Sequence, residues 1–142
     1  MKPLKLIMSA FGPYKERVEV DFTKVGNNGI FLITGDTGAG KTTIFDGISF
    51  ALFGESSGSN RDSASLRSKF AKAGIETFVE LTFIHRDKVY TITRNPNYLV
   101  PKKRGNGETI KPSDATLKYD ENIVVGLKTV NEKITDILGI NA

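Results

Sequence analysis

Gly35-Asp36-Thr37-Gly38-Ala39-Gly40-Lys41-Thr42-Thr43 satisfies the pattern G-x-x-x-x-G-K-[ST] and lies between an apolar run and a helix-like segment. Upstream, Ile30-Phe31-Leu32-Ile33 is unbroken apolar sequence, as in a strand of a parallel sheet covered on both faces. The loop is therefore expected to leave a central strand. Downstream, Ile44, Ile48, Ala51 and Leu52 recur at helical spacing with phenylalanines on the flanks, which predicts a mostly buried helix over 44–53.

A loop of this kind binds phosphate for physical reasons. A Cβ at Gly38 or Gly40 would crowd the turn and block close approach of the backbone, whose N–H groups point inward. The helix N-terminus adds partial positive charge, Lys41 adds a full one at the β/γ-phosphates, and the Thr42 hydroxyl is placed to ligate Mg²⁺. The expected ligand is a nucleoside triphosphate with magnesium.

At 142 residues the chain is long enough for one ordinary core but short for a P-loop domain on a full parallel sheet. It has no cysteine and one histidine, which excludes a disulfide framework and a thiolate metal site and argues against a histidine-rich one. The first residues carry no signal-peptide pattern and no apolar run reaches membrane-spanning length, so a cytoplasmic protein without a membrane partner is expected. The net charge of +4 is uneven: residues 61–118 hold twelve basic and six acidic side chains, and the flanking parts hold no basic excess. That surplus is either a solvated face or an attraction for nucleic acid.

Alternation predicts strands over residues 3–11, 18–22, 76–84 and 89–93, with turns at Gly12-Pro13-Tyr14-Lys15 and Arg86-Asp87-Lys88. Gly54 to Asn60 reads as a loop, and Arg61 just beyond it either lies on the surface or reaches back toward a bound nucleotide. Residues 65–73 suggest a short helix with Leu66, Phe70 and Ala73 on one side. His85 has no carboxylate neighbour or second histidine in sequence and reads as structural. Three prolines and Lys102-Lys103-Arg104 make residues 95–112 an exposed loop or ragged hairpin. Two short strands over 115–119 and 123–125 precede an amphipathic helix with Leu127, Val130, Ile134, Ile137 and Leu138 on its apolar stripe and Gly139 as cap.

With Ala10-Phe11-Gly12-Pro13-Tyr14, Gly35 to Thr43, Ile44 to Gly54 and Glu76 to Phe83 in view, the whole chain resembles the N-terminal segment of the SMC-like DNA-repair ATPases. The resemblance implies an α/β P-loop NTPase fold, the N-terminal half of an ABC-type ATPase head with a mixed or antiparallel β subsheet and a parallel P-loop strand. It assigns Gly35, Asp36, Thr37, Gly38, Ala39, Gly40, Lys41, Thr42 and Thr43 to the Walker A loop, with Lys41 on phosphate and Thr42 on Mg²⁺. Arg61 falls where family members approach the nucleotide. The implied cofactors are ATP and Mg²⁺. The implied partners are the C-terminal lobe of the same protein, a second ATPase head, a metal-dependent nuclease subunit and double-stranded DNA.

The sequence also departs from a complete head. It has no glutamine, hence no Q-loop glutamine and no Ser-Gly-Gly-Gln signature, and no apolar run ending in Asp-Glu as a Walker B element. Phosphoryl transfer needs the attacking water positioned as well as the phosphates held. The chain is expected to bind but not to hydrolyse by itself, with no catalytic residue of its own. Another P-loop NTPase or small-molecule kinase fragment is the alternative enzyme reading, and a folding half that scarcely binds nucleotide is the third.

Overall fold

Each alternating run becomes a strand in the structure, a computed structural model that describes residues 1–25, 40–55 and 63–140, without the side chains of Val25, Lys41, Ser63 and Ala64. The strands are β1 (Lys2–Phe11), β2 (Tyr14–Asp21), β3 (Phe78–His85), β4 (Lys88–Asn95), β5 (Tyr98–Pro101), β6 (Glu108–Lys111), β7 (Asp114–Tyr119) and β8 (Asn122–Val125). Six form one sheet in the order β2-β1-β3-β4-β7-β8, antiparallel at every pairing. β5 and β6 pair only with each other, so the proline-rich stretch does form a separate hairpin. The expected strand over 30–33 lies outside the described residues.

The period of two decides which face is buried. Leu6 and Met8 of β1, Val79, Leu81 and Phe83 of β3, Tyr90 and Ile92 of β4, and Ala115 and Leu117 of β7 form one buried face. Helix α1 (Lys41–Phe53) lies on that face through Phe50, Ala51 and Leu52. Gly47 lets it approach closely, since a Cβ there would stand 2.7 Å from Met8 Sδ. Helix α2 (Leu127–Leu138) buries Val130 and Ile134 in the same core and ends on Gly139 in the left-handed conformation. Its predicted stripe and cap are both present.

Two expectations need correction. The helix after the P-loop begins at Lys41 and is only partly covered: Phe50 is core, whereas Phe45 and Phe53 are 53% and 47% exposed. Residues 65–73 are not an α-helix. A 3-10 turn (Ser63–Leu66) leads into a β-bridge between Arg67 and Phe11, and Phe70 is exposed. Arg67 explains the difference, because its guanidinium donates to the carbonyls of Lys72 and Ile75 and to Thr77 Oγ1, curling the segment around a side chain. This segment docks on the end of β1: Gly12 N–H donates to the Leu66 carbonyl, and Ser68 N–H and Thr77 Oγ1 both donate to the carbonyl of Ala10. Ala10 has φ +47°, a conformation that costs an L-residue about 1–3 kcal/mol and persists only where contacts of this kind hold it.

Arg94 continues the buried face of β4 and is 2% exposed. Its Nε donates to the Ala51 carbonyl at 3.0 Å and Nη2 to the Leu52 carbonyl at 3.3 Å, so a buried cation closes the C-terminus of α1. Burial lowers its pKa to about 10, which leaves it charged at neutral pH and attracted to the helix dipole. Replacing it by Met keeps the packing volume but strands two buried carbonyls. Arg94→Met is therefore expected to lower the unfolding free energy of the chain by about 2–4 kcal/mol in urea denaturation, with the loss unchanged between pH 6 and 8. A wild-type midpoint would contradict the clamp.

Candidate functional site

The P-loop sequence enters the described structure at Gly40. Gly35, Asp36, Thr37, Gly38, Ala39 and Arg61 lie outside the described residues, so the structure neither gathers them nor separates them. What it does place is the loop's exit into α1. Gly40 is the N-cap with φ +91°, a left-handed conformation open to glycine, and no side chain caps the helix. The first turn, Lys41-Thr42-Thr43, carries no acidic residue. The early N–H groups of a helix have no intrahelical acceptor, so this end offers donors and partial positive charge with no side-chain carboxylate in the first turn. Thr42 is exposed there, and Thr43 is turned inward at 8% exposure.

The turn between β1 and β2 braces this end of the helix. Tyr14 Oη donates to the Gly40 carbonyl at 3.2 Å. Its ring fills the space beside Gly40, where an added Cβ would sit 2.3 Å from the hydroxyl. Gly12, at φ +58°, lies against Thr43, whose Cγ2 would be 2.8 Å from a Cβ at that position. Both glycines are therefore required by close approach as well as by dihedral. The sequence presented Gly12-Pro13-Tyr14 only as a turn, and the one available signal was an aromatic residue in a turn that solvent alone would not favour.

The remaining sequence candidates are spread over other surfaces. Lys102, Lys103 and Arg104 are exposed on the connection between β5 and β6. His85 ends β3, and its Nε2 is buried without a hydrogen-bond partner. Among the described residues no group of three or more His, Cys, Asp or Glu is placed to hold a metal ion. No described helix is long and apolar enough to cross a membrane.

A family model described as an AAA domain matches residues 5–141. The chain belongs to the AAA domain family. Among its AAA-domain relatives, the SbcC component of the nuclease SbcCD from Vibrio cholerae is 43% identical over 146 residues, covering 99% of this chain and 14% of that protein. The SbcC component of the same nuclease from Lactococcus lactis is 43% identical over 150 residues, covering 100% of this chain and again 14% of the relative. The chain thus spans about a seventh of the length of these curated relatives, and the resemblance drawn from its motifs agrees with them. A solved structure from work on ATP-driven dimerization and DNA-stimulated activation of SMC ATPases superposes with a TM-score of 0.60 over 98% of this chain and 78% of its own, at 21% identity. At that identity the likeness concerns the α/β fold.

The packing of Tyr14 on Gly40 predicts a coupled pair. Gly40→Ala should destabilise the chain by about 1–3 kcal/mol through strain and collision, and by measurably less in a Tyr14→Ala background. A double-mutant cycle in urea with no coupling between the two positions would contradict this geometry.

Proposed function

We propose that the chain is the N-terminal lobe of an ABC-type, SMC-like ATPase head that binds ATP with Mg²⁺ and works within a nuclease complex. The observation that carries the reading is the P-loop pattern running straight into α1 through an uncapped, left-handed Gly40, with no acidic residue in the first helical turn. Donors without acceptors and a positive helix end suit a triphosphate. Gly35 to Thr43 would cradle the phosphates, Lys41 would neutralise the β/γ-charge and Thr42 would ligate the metal. Bound Mg²⁺ would supply charge neutralisation at the phosphates. Arg61 is proposed to approach the nucleotide.

The lobe is proposed to be incomplete alone. Its sequence lacks the Q-loop, signature and Walker B elements, and α1, apolar around most of its circumference, leaves Phe45 and Phe53 exposed. A helix of that composition calls for cover on both sides. We assign the cover to the C-terminal lobe of the same protein, with ATP then joining two heads and regulating the partner nuclease on DNA ends. The relatives named as parts of a nuclease favour this over the kinase reading.

Titration calorimetry with MgATP on the complete protein should give binding that Lys41→Ala abolishes, and the 142-residue chain alone should show negligible ATP turnover. Turnover by the isolated chain at the rate of the complete protein would overturn the division of labour. Double-stranded DNA is proposed to contact the exposed Lys102, Lys103 and Arg104. Reversing those three charges should then flatten the dependence of log K on log salt by up to about 0.9 per lost phosphate contact, whereas an unchanged slope would remove the triplet from the interface.

A further inference from the structure

We infer that Tyr14 is a positioning residue of the nucleotide site, acting through the peptide that joins Gly40 to Lys41. This inference rests on the P-loop reading above and names a group outside the P-loop pattern.

The described peptides are trans, and in a trans peptide the C=O and N–H point in opposite directions from one rigid plane. Tyr14 Oη donates to the Gly40 carbonyl, so the hydroxyl fixes the orientation of the plane whose other edge carries the Lys41 N–H. That N–H is one of the first-turn donors left without an intrahelical acceptor. Gly40 would otherwise be the most permissive joint in this stretch, since glycine at φ +91° has no side chain to restrict it and no side-chain cap holds the helix start. Donation to the carbonyl also polarises the peptide and strengthens its N–H as a donor.

The brace is itself anchored. Tyr14 opens β2 and pairs with Phe11 of β1, and Phe11 is buried against Phe50 of α1 with ring centroids 5.8 Å apart. Gly12 lies against Thr43 two residues further into the helix. The turn thus touches α1 on both sides of the Gly40–Lys41 peptide, and the Tyr14 hydroxyl is the hydrogen-bonding part of that contact.

A group that orients a phosphate donor contributes equally to the bound substrate and the transition state, so its loss raises KM and spares kcat. Loss of folded protein does the opposite, lowering apparent kcat at constant KM. Steady-state ATPase measurements on the complete protein should therefore show Tyr14→Phe, which keeps the ring and drops the hydroxyl, with a KM for ATP raised about 3- to 10-fold and kcat within about twofold of wild type. The Kd for inorganic triphosphate should weaken by the same factor, because the effect acts on phosphate and not on the base. An unchanged KM, or a fall in kcat alone, would overturn the role of Tyr14. Turnover that survives Lys41→Ala would instead remove the P-loop reading, and the inference with it.

Discussion

A helix pinned at both ends is the constraint on which the rest of this structure depends. α1 lies across β1, β3 and β4, and the sheet reaches it with one polar group at each terminus. At the C-terminus Arg94 meets the Ala51 and Leu52 carbonyls. At the N-terminus Tyr14 meets the Gly40 carbonyl. Helix ends are where backbone groups go unsatisfied, so a helix meant to offer its first N–H groups to a ligand needs its position fixed by other means. Here the C-terminal carbonyls are answered by the protein, while no side chain caps the N-terminal amides.

The antiparallel sheet supplies that rigidity. Its central strands interlock through Leu6, Met8, Val79, Leu81, Phe83 and Ile92, all fully buried, and Gly47 removes the one Cβ that would hold α1 away from Met8. At the end of β1 the strained Ala10 marks where the strand must turn aside to carry Gly12 and Tyr14 to the helix. Arg67 secures this corner from the other side, and its guanidinium also lies 5.0 Å from the Tyr98 ring. Strain at Ala10 and the hydrogen bonds around it form one device for aiming a turn.

How much of this the sequence disclosed follows from the range of the interactions. Period-two alternation marked β1, β3 and β4, and the 3.6-residue stripe with Gly139 marked α2, because those patterns reflect one face meeting one core. The same alternation placed Arg94 beside Tyr90 and Ile92, but nothing local says that a charge on that face answers the carbonyls of a helix far away in the chain. Residues 65–73 misled for a related reason: Leu66, Phe70 and Ala73 have helical spacing, yet Arg67 draws the backbone carbonyls to itself. The P-loop pattern was legible at once, and what it left unsaid was the support. Gly12 and Tyr14 look like punctuation until the fold sets them against Thr43 and Gly40.

The central claim is that a braced α1 presents its first amides to a nucleotide's phosphates. Hydrogen–deuterium exchange at the Lys41, Thr42 and Thr43 amides of the complete protein, measured with and without MgATP, tests it most directly. The account predicts that exchange at these amides slows sharply on ATP binding while the middle of α1, already hydrogen-bonded, changes little. Saturating MgATP that leaves the exchange of all three amides unaltered would contradict it.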